Sequence, residues 1–270
     1  EALAAQPATA AAGGKRPNKL CFFTKHLQGL SYDDIASLAA EMGVDGVEAP
    51  IRPKGHIEPE AVADELPKFV EALKKQGLEI TLMTSGINQV SAEQHTEKVL
   101  RTAAALGIQR YRMSYYKYDL KQPIWDQLQA VRPLVKDLVQ LSDELGIQPV
   151  FQNHSGKDYF GATVWDMYSI IRDYRPEQIA FCFDILHATV EGGLAWPLHA
   201  ALTAGHWGAV YFKDFQWQGR KSETCPLGQG QISPDFAKLL LQRQYAGPIS
   251  LHLEYLKGDA KDPATLKEFR

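Results

Sequence analysis

The sequence predicts an α/β fold, a (β/α)₈ barrel of parallel strands, on three observations. From residue 18 onward a short apolar run, a polar turn and a helical pattern recur as one unit. Several helical patterns end in glycine just before the next apolar run, as in MGVD, QGLE and LGIQ. That rhythm marks helix ends feeding the strands of crossover units. The strand-like runs number eight, more than an open doubly wound sheet usually carries, and no G-x-G-x-x-G follows the first of them. A chain of 270 residues is also the length one such barrel commonly fills.

The elements follow in order. KLCFF is the first strand; Ser31 caps the first helix, whose buried face holds Ile35, Leu38 and Met42. VDGVEAP is the second strand, residues 59–76 the second helix, and QGLEITLMT the third strand. The third helix is expected from Ser91, with Gln94 as its capping-box partner, to Leu106 before Gly107. QRYRMSY is the fourth strand, residues 122–145 the longest helix, and IQPVFQN the fifth strand. A helix at 163–173 leads to QIAFCFD, the sixth strand, and a shorter helix begins near Leu194. GAVYFKD is the seventh strand; a long loop precedes a helix at 233–243, and GPISLHLEY is the eighth strand. About fifteen residues remain, which predicts a short last helix. Residues 18–270 thus read as a single barrel domain. Residues 1–17, rich in alanine, glycine and proline, read as a disordered lead-in. Short alanine-rich stretches are common around export cleavage sites, so a periplasmic or secreted protein is expected, with a cytoplasmic one as the alternative.

Composition narrows the function. The residues are 45% hydrophobic and 23% charged, with a formal net charge of −3, as in ordinary globular proteins. No concentrated basic footprint for nucleic acid is present, and no apolar stretch reaches the length of a membrane-spanning helix. Cys21, Cys182 and Cys225 form no metal-type C-x-x-C pair.

Polar residues gather where a barrel places its site, at the C-terminal strand ends. The second strand carries Glu48; the fifth ends in Gln152, Asn153 and His154. The sixth ends in Asp184, with His187 three residues on; the seventh ends in Lys213 and Asp214, and the eighth in Glu254 and Tyr255. Period-two geometry puts Tyr211 with Lys213, Cys182 with Asp184, His252 with Glu254, and Arg112 with Ser114, each pair on one strand face. An inward Lys213 beside carboxylates 184 and 254 makes an acid–base centre or, alternatively, a structural ion-pair network. His154 and His56 lie in loops suited to substrate contact, and Trp217 offers an aromatic face to a sugar ring. Trp125, Trp165, Trp196 and Trp207 are expected to pack against helices.

The segments DGVEAPIRPKGHIEP, FQNHSG, FDILHATVEGG, VYFKDFQW, PLGQG and LHLEY resemble the xylose-isomerase-like barrels, the superfamily of sugar isomerases and epimerases, over residues 18–256. The resemblance is to the branch of sugar phosphate isomerase/epimerase proteins, many of them exported. It implies a divalent cation, Mn²⁺, Mg²⁺ or Zn²⁺, at positions here occupied by Gln152, Asp184, Tyr211 and Glu254, and a substrate-contacting histidine at His187. Two of the four positions depart from the family's Glu-Asp-His-Glu set: glutamine brings no charge, and a phenol is a poor ligand for hard cations.

The expected function is therefore isomerisation or epimerisation of a sugar or keto-sugar by proton abstraction next to a carbonyl. Glu48, Lys213, Glu254, Asp184 and His187 are the catalytic candidates. His56, Arg112, Gln152, Asn153, His154, Trp217 and His252 are the substrate-binding candidates, and Asp184, Glu254 and Gln152 the metal candidates. The alternatives are lyase or hydrolase cleavage of an oxidised glycoside, and a non-catalytic carbohydrate-binding barrel.

Overall fold

A computed structural model describes residues 17–258 and 260–269; the lead-in expected over residues 1–17 falls, but for its last residue, outside them. The strands β1 (Leu20–Phe23), β2 (Gly46–Ile51), β3 (Glu79–Ser85), β4 (Arg110–Arg112), β5 (Gln148–Gln152), β6 (Ala180–Asp184) and β7 (Trp207–Phe212) come first. A hairpin of β8 (Asp214–Gln218) and β9 (Lys221–Cys225) precedes β10 (Ile249–Leu251). All but the hairpin pair in parallel and close a barrel in the order β1-β10-β7-β6-β5-β4-β3-β2. Helices α1 (Tyr32–Glu41), α2 (Val62–Lys75), α3 (Thr96–Ala105), α4 (Ile124–Leu145) and α5 (Trp165–Ile171) alternate with the strands. They are followed by α6 (Ile185–Gly192), α7 (Trp196–Thr203), α8 (Asp235–Gln242) and the short α9 (Pro263–Phe269).

Alternation along each strand sorts the side chains. Phe22, Val47, Phe151 and Phe181 face outward into the main core against the helices, while Leu82, Val150, Cys182, Ala209 and Tyr211 fill the barrel interior. Each inward face then continues to the C-terminal mouth, which is how Asp184 follows Cys182 and Lys213 follows Tyr211. The glycines read as helix ends do that work: Gly43, Gly77, Gly107 and Gly146 all have φ between 68° and 85°. A side chain there would meet the Cβ penalty of the left-handed region.

Several local expectations differ. Ser91 Oγ accepts from the Gln94 N–H as expected, but α3 starts at Thr96, because His95 adopts a left-handed φ of 49° that interrupts the helix. The helix expected near Leu194 begins at Trp196, and α6 forms directly after β6, capped by the Asp184 carboxylate. The expected long loop contains the β8–β9 hairpin, turning at Gly219 with φ 62°. Trp196 and Trp207 pack against Phe236, whereas Trp125 and Trp165 are mostly exposed. Among the described residues no helix is long and apolar enough to cross a membrane.

Asp214, read as a mouth residue, anchors the loop instead. Oδ1 accepts from the backbone N–H of Phe215 (2.8 Å) and Ile232 (3.0 Å), Oδ2 from Gly228 (3.0 Å) and Gly230 (2.9 Å). Gly230 is required by that approach, since a Cβ would lie 2.3 Å from Asp214 Oδ1. The PLGQG motif is thus a carboxylate-bound turn. Asp214→Ala should strand these donors, lower stability by about 3 kcal/mol and speed amide exchange at Gly228, Gly230 and Ile232. Thermal melts and exchange measured by NMR check both effects.

Candidate active site

Glu48 lies beneath the mouth, fully buried. Its carboxylate accepts hydrogen bonds from Thr84 Oγ1, Tyr211 OH (2.9 Å), Ser250 Oγ (2.7 Å) and His252 Nε2 (2.9 Å). Burial alone would raise its pKa. The charge and hydrogen bond of His252, the nearby Arg112 guanidinium and the Thr84 bond outweigh burial and hold it down at about 2. A carboxylate so saturated is a fixed anion, which corrects the expectation that Glu48 is a catalytic base. His252 is likewise committed to Glu48 through Nε2, with Nδ1 4.0 Å from Glu254 Oε1.

Above this anion, Lys213, just past β7, joins β6, α6 and the segment after β10. Its buried Nζ lies 2.8 Å from His187 Nε2, 3.1 Å from Asp184 Oδ2 and 3.7 Å from Glu254 Oε2. Burial would lower the lysine pKa, but the Asp184 and Glu254 carboxylates more than offset it and raise the value, so the group is an ammonium. Burial and the Lys213 charge push His187 well below the ordinary range for histidine. The neutral ring accepts from Lys213 at Nε2 and, in that tautomer, donates from Nδ1 to Ser155 Oγ, 2.7 Å away. His154, held to about 4 by burial and Lys213, packs 3.9 Å from the His187 ring and 4.7 Å from that of Tyr159.

Asp184 is fixed on every side. Oδ2 accepts from Gln152 Nε2 at 2.6 Å, Oδ1 caps α6 through the His187 N–H, and Asn153 clasps the Asp184 backbone with bonds of 2.8 and 3.0 Å. Gln152 Oε1 accepts in turn from Arg112 and from Tyr115 OH. Glu254 differs: its side chain is 26% exposed, and it bridges Lys213 to Lys25, whose Nζ lies 2.7 Å from Oε1. Burial would raise the Glu254 pKa, but Lys213, His252 and Lys25 drive it far below the ordinary carboxylate range.

The structure therefore gathers Glu48, Arg112, Gln152, Asp184, His187, Lys213, His252, Glu254 and His154 at one end of the barrel. Three of the substrate-binding candidates make other contacts. Asn153 is buried and spent on the Asp184 backbone. His56 anchors its own loop, Nε2 lying 3.0 Å from Thr24 O and Oγ1, and burial lowers its pKa to about 4. Trp217 stands on the hairpin, nearly half exposed, its ring against Phe215; among the described residues no ring contact joins it to the Lys213 cluster. Lys25, Tyr115 and Ser155 were missed. A strand-end reading could have reached Tyr115, the last residue of the expected fourth strand, and Lys25, two residues past β1; Ser155 lies in the loop beyond.

A family model described as a xylose isomerase-like TIM barrel matches residues 36–268. The chain belongs to that family. A D-psicose 3-epimerase with D-tagatose from Clostridium cellulolyticum superposes with a TM-score of 0.69 at 11% identity, covering 93% of this chain and 90% of that one. A xylose isomerase domain protein from Planctomyces limnophilus gives 0.68 at 14% identity, covering 94% and 93%. A 3-keto-D-glucoside 4-epimerase from E. coli gives 0.67 at 17% identity, covering 94% and 99%. No curated protein sequence matches the chain.

The divalent cation that the xylose isomerase-like family implies does not fit these residues. Among the described residues no group of three or more His, Cys, Asp or Glu side chains is placed to hold a metal ion. Both ends of Gln152 are engaged, the Tyr211 phenol is kept protonated by burial while it donates to Glu48, and an ammonium sits against Asp184. A second cation beside Lys213 would meet its repulsion.

The Glu48 network carries a stability prediction. Its depressed pKa stabilises the fold above the unfolded carboxyl value of about 4.3, and this contribution is lost as pH falls through about 2. Glu48→Gln should cost about 3 kcal/mol at pH 7. The difference should shrink as pH drops from about 4 toward 2, in denaturant titrations at each pH.

Proposed function

We propose that this barrel is a sugar or keto-sugar isomerase/epimerase, working by proton abstraction next to a carbonyl, with the Lys213 ammonium as the electrophile. One observation carries the reading. Lysine has three N–H donors; His187 and Asp184 take two, and Glu254 at 3.7 Å is too distant for a good third bond. The remaining N–H is available to a substrate oxygen.

Glu254 is the carboxylate that reaches the mouth, so it takes the proton. A substrate carbonyl oxygen accepts from Lys213 while Glu254 removes the hydrogen on the adjacent carbon. The electron pair moves into a C=C bond and the oxygen becomes an enediolate anion beside the ammonium. As negative charge grows on that oxygen, less of the lysine's field acts on Glu254, which becomes a better base. Isomerisation follows when the hydroxyl proton on the adjacent oxygen passes to the enediolate oxygen and Glu254 returns its proton to the former carbonyl carbon. Epimerisation follows when the original carbon is reprotonated on the opposite face by solvent, while Glu254 keeps the abstracted proton until it is lost to water. Asp184, Gln152 and His187 keep Lys213 aimed.

Because Glu48 is sealed below, Glu254 is the one exposed carboxylate of the three. That asymmetry favours a second reading, in which the same carbanion expels a leaving group from the next carbon and an oxidised glycoside is cleaved.

Incubation with a panel of ketoses, aldoses and 3-keto-glycosides in D₂O, followed by NMR, tests both readings. Exchange of one C–H with isomer formation supports the first, and exchange with aglycone release the second. Absence of any exchange supports a non-catalytic barrel. Lys213→Met and Glu254→Gln should each lower kcat/KM at least about 10²-fold, and chelators should leave the parent unaffected. Loss of turnover on chelation, recovery with Mn²⁺ and a fully active Lys213→Met enzyme would overturn the lysine-centred reading. Since Lys213→Met leaves Asp184 short of a buried partner, its stability is measured alongside.

The same reading predicts the pH profile. Glu254 is depressed and Lys213 raised, so the productive pair, carboxylate plus ammonium, persists from below about pH 4.3 to above about pH 10.4. kcat/KM should be flat across neutral pH, with no limb near 6–7 from His154 or His187, which burial and the Lys213 charge keep neutral there.

A further inference from the structure

Two arginines at the mouth lack the carboxylate partners that the other cations have. Arg112, on β4, is 4% exposed; Nη1 donates to Gln152, while the buried Nε has no hydrogen-bond partner. Arg52 directly follows β2 and is half-buried. The guanidinium carbons of Arg52 and Arg112 lie 5.8 and 5.4 Å from the centroid of the same Phe23 ring. Among the described residues neither makes an ion pair with a carboxylate, whereas Lys213 engages Asp184 and Glu254, and Lys25 engages Glu254. Glu48 is close enough to feel Arg112 but is filled by its four donors.

Placing two guanidiniums around one ring is unfavourable, since burial and the Arg112 charge both disfavour the charged form of Arg52 and outweigh the nearby Glu48 and Glu254 carboxylates. The chain nevertheless pins Arg52 in place. Its carbonyl accepts from the Gly55 N–H at 2.7 Å, and the His56 N–H closes the turn on Pro50 O at 2.9 Å. The His56 ring ties the turn to Thr24, and the Lys54 N–H donates to Glu58 Oε1 at 2.9 Å. A Cβ at Gly55 would lie 2.5 Å from Pro50 O, so the turn demands glycine. The segment IRPKGHIEP is thus a rigid mount for a cation, and a mount for a repelled cation makes physical sense when an anion arrives between the two.

We infer that Arg52 and Arg112 form a carboxylate-binding subsite, and that the substrate is a sugar acid and not a neutral sugar. This rests on the proposed reaction only for what happens next to the carbonyl; the subsite stands on the arginines. A carboxylate matches planar guanidinium forks in two-point contact. It would settle the charge that Lys213 and Glu254, already paired with each other, leave unbalanced on the β1–β2–β4 side. A phosphoryl group shares this chemistry, and the test separates the two.

Calorimetric binding of D-glucuronate and D-galacturonate, beside D-glucose, D-galactose and glucose 6-phosphate, tests the inference with the full chain and without turnover. The uronates should bind at least about 10-fold more tightly than their neutral parents, as expected for charge-assisted hydrogen bonds. Arg52→Gln should erase that preference, and Arg52→Lys should restore part of it. Uronates that bind no better than neutral sugars, a preference that survives Arg52→Gln, or tighter binding of glucose 6-phosphate would each overturn the proposal. Proton exchange on neutral sugars without uronate preference would refute the subsite and leave the proposed reaction intact. Uronate binding without exchange would do the reverse.

Discussion

The site depends on one buried ion pair, Lys213 with Asp184, sealed from water at the strand ends. Removing either charge from water costs several kcal/mol, and mutual attraction offsets this only with good geometry and further hydrogen bonds. The neighbouring sequence supplies those bonds. Gln152 donates to Asp184, the first turn of α6 donates its His187 N–H, and Asn153 holds the Asp184 main chain. Replacing the pair by apolar side chains of similar volume would be neutral or stabilising by general experience, so stability alone does not account for it. What the pair provides is an oriented ammonium with one donor to spare.

The rest of the mouth is arranged by exposure. Glu48 and Asp184 are fully buried and fully engaged, while Glu254 keeps about a quarter of its side chain in reach of the mouth. Three carboxylates, on β2, on β6 and just past β10, thus take three different roles from their surroundings, although nothing in their chemistry distinguishes them. Glu48 is the floor: Thr84, Tyr211, Ser250 and His252 come from β3, β7 and the β10 segment to close on it. It sets a fixed negative charge below Arg112. That charge raises the Arg112 pKa, together with the nearby tyrosines and against burial.

Much of the fold and part of the site were legible in the sequence, and the boundary between the two is physical. Helix–glycine–strand junctions are local events, governed by φ at one residue, so Gly43, Gly77, Gly107 and Gly146 could be read directly. Period-two alternation is also local, and it placed Lys213 behind Tyr211 and Asp184 behind Cys182. Hydrogen-bond partners are not local. Asn153 looked like a ligand contact because it ends a strand, yet its partner is the backbone 31 residues away. His56 looked free in its loop, and is tied to Thr24, 32 residues away. The β8–β9 hairpin was missed because its strands are polar, with Phe215 the only buried apolar side chain. In the absence of a buried face, alternation carries no signal. Its turn, Gly219–Arg220, was the cue available.

Using a lysine where the wider family's pattern calls for a metal changes what the site must do to work. A divalent ion brings two charges and several coordination positions, so it can bind two substrate oxygens at once. An ammonium brings one charge and three donors, two of which the protein consumes here. It can steady one developing oxyanion and no more, so any second anchor on the substrate has to come from elsewhere in the mouth. Lys25 is already bound to Glu254 and His252 to Glu48. The guanidiniums beside Phe23 are the donors left to serve that purpose. On the proposed reading, a site without the metal's second contact and arginines without a carboxylate partner are two sides of one arrangement. On that reading, the lysine holds the reacting oxygen, and orientation of the sugar is delegated to charge on the opposite wall.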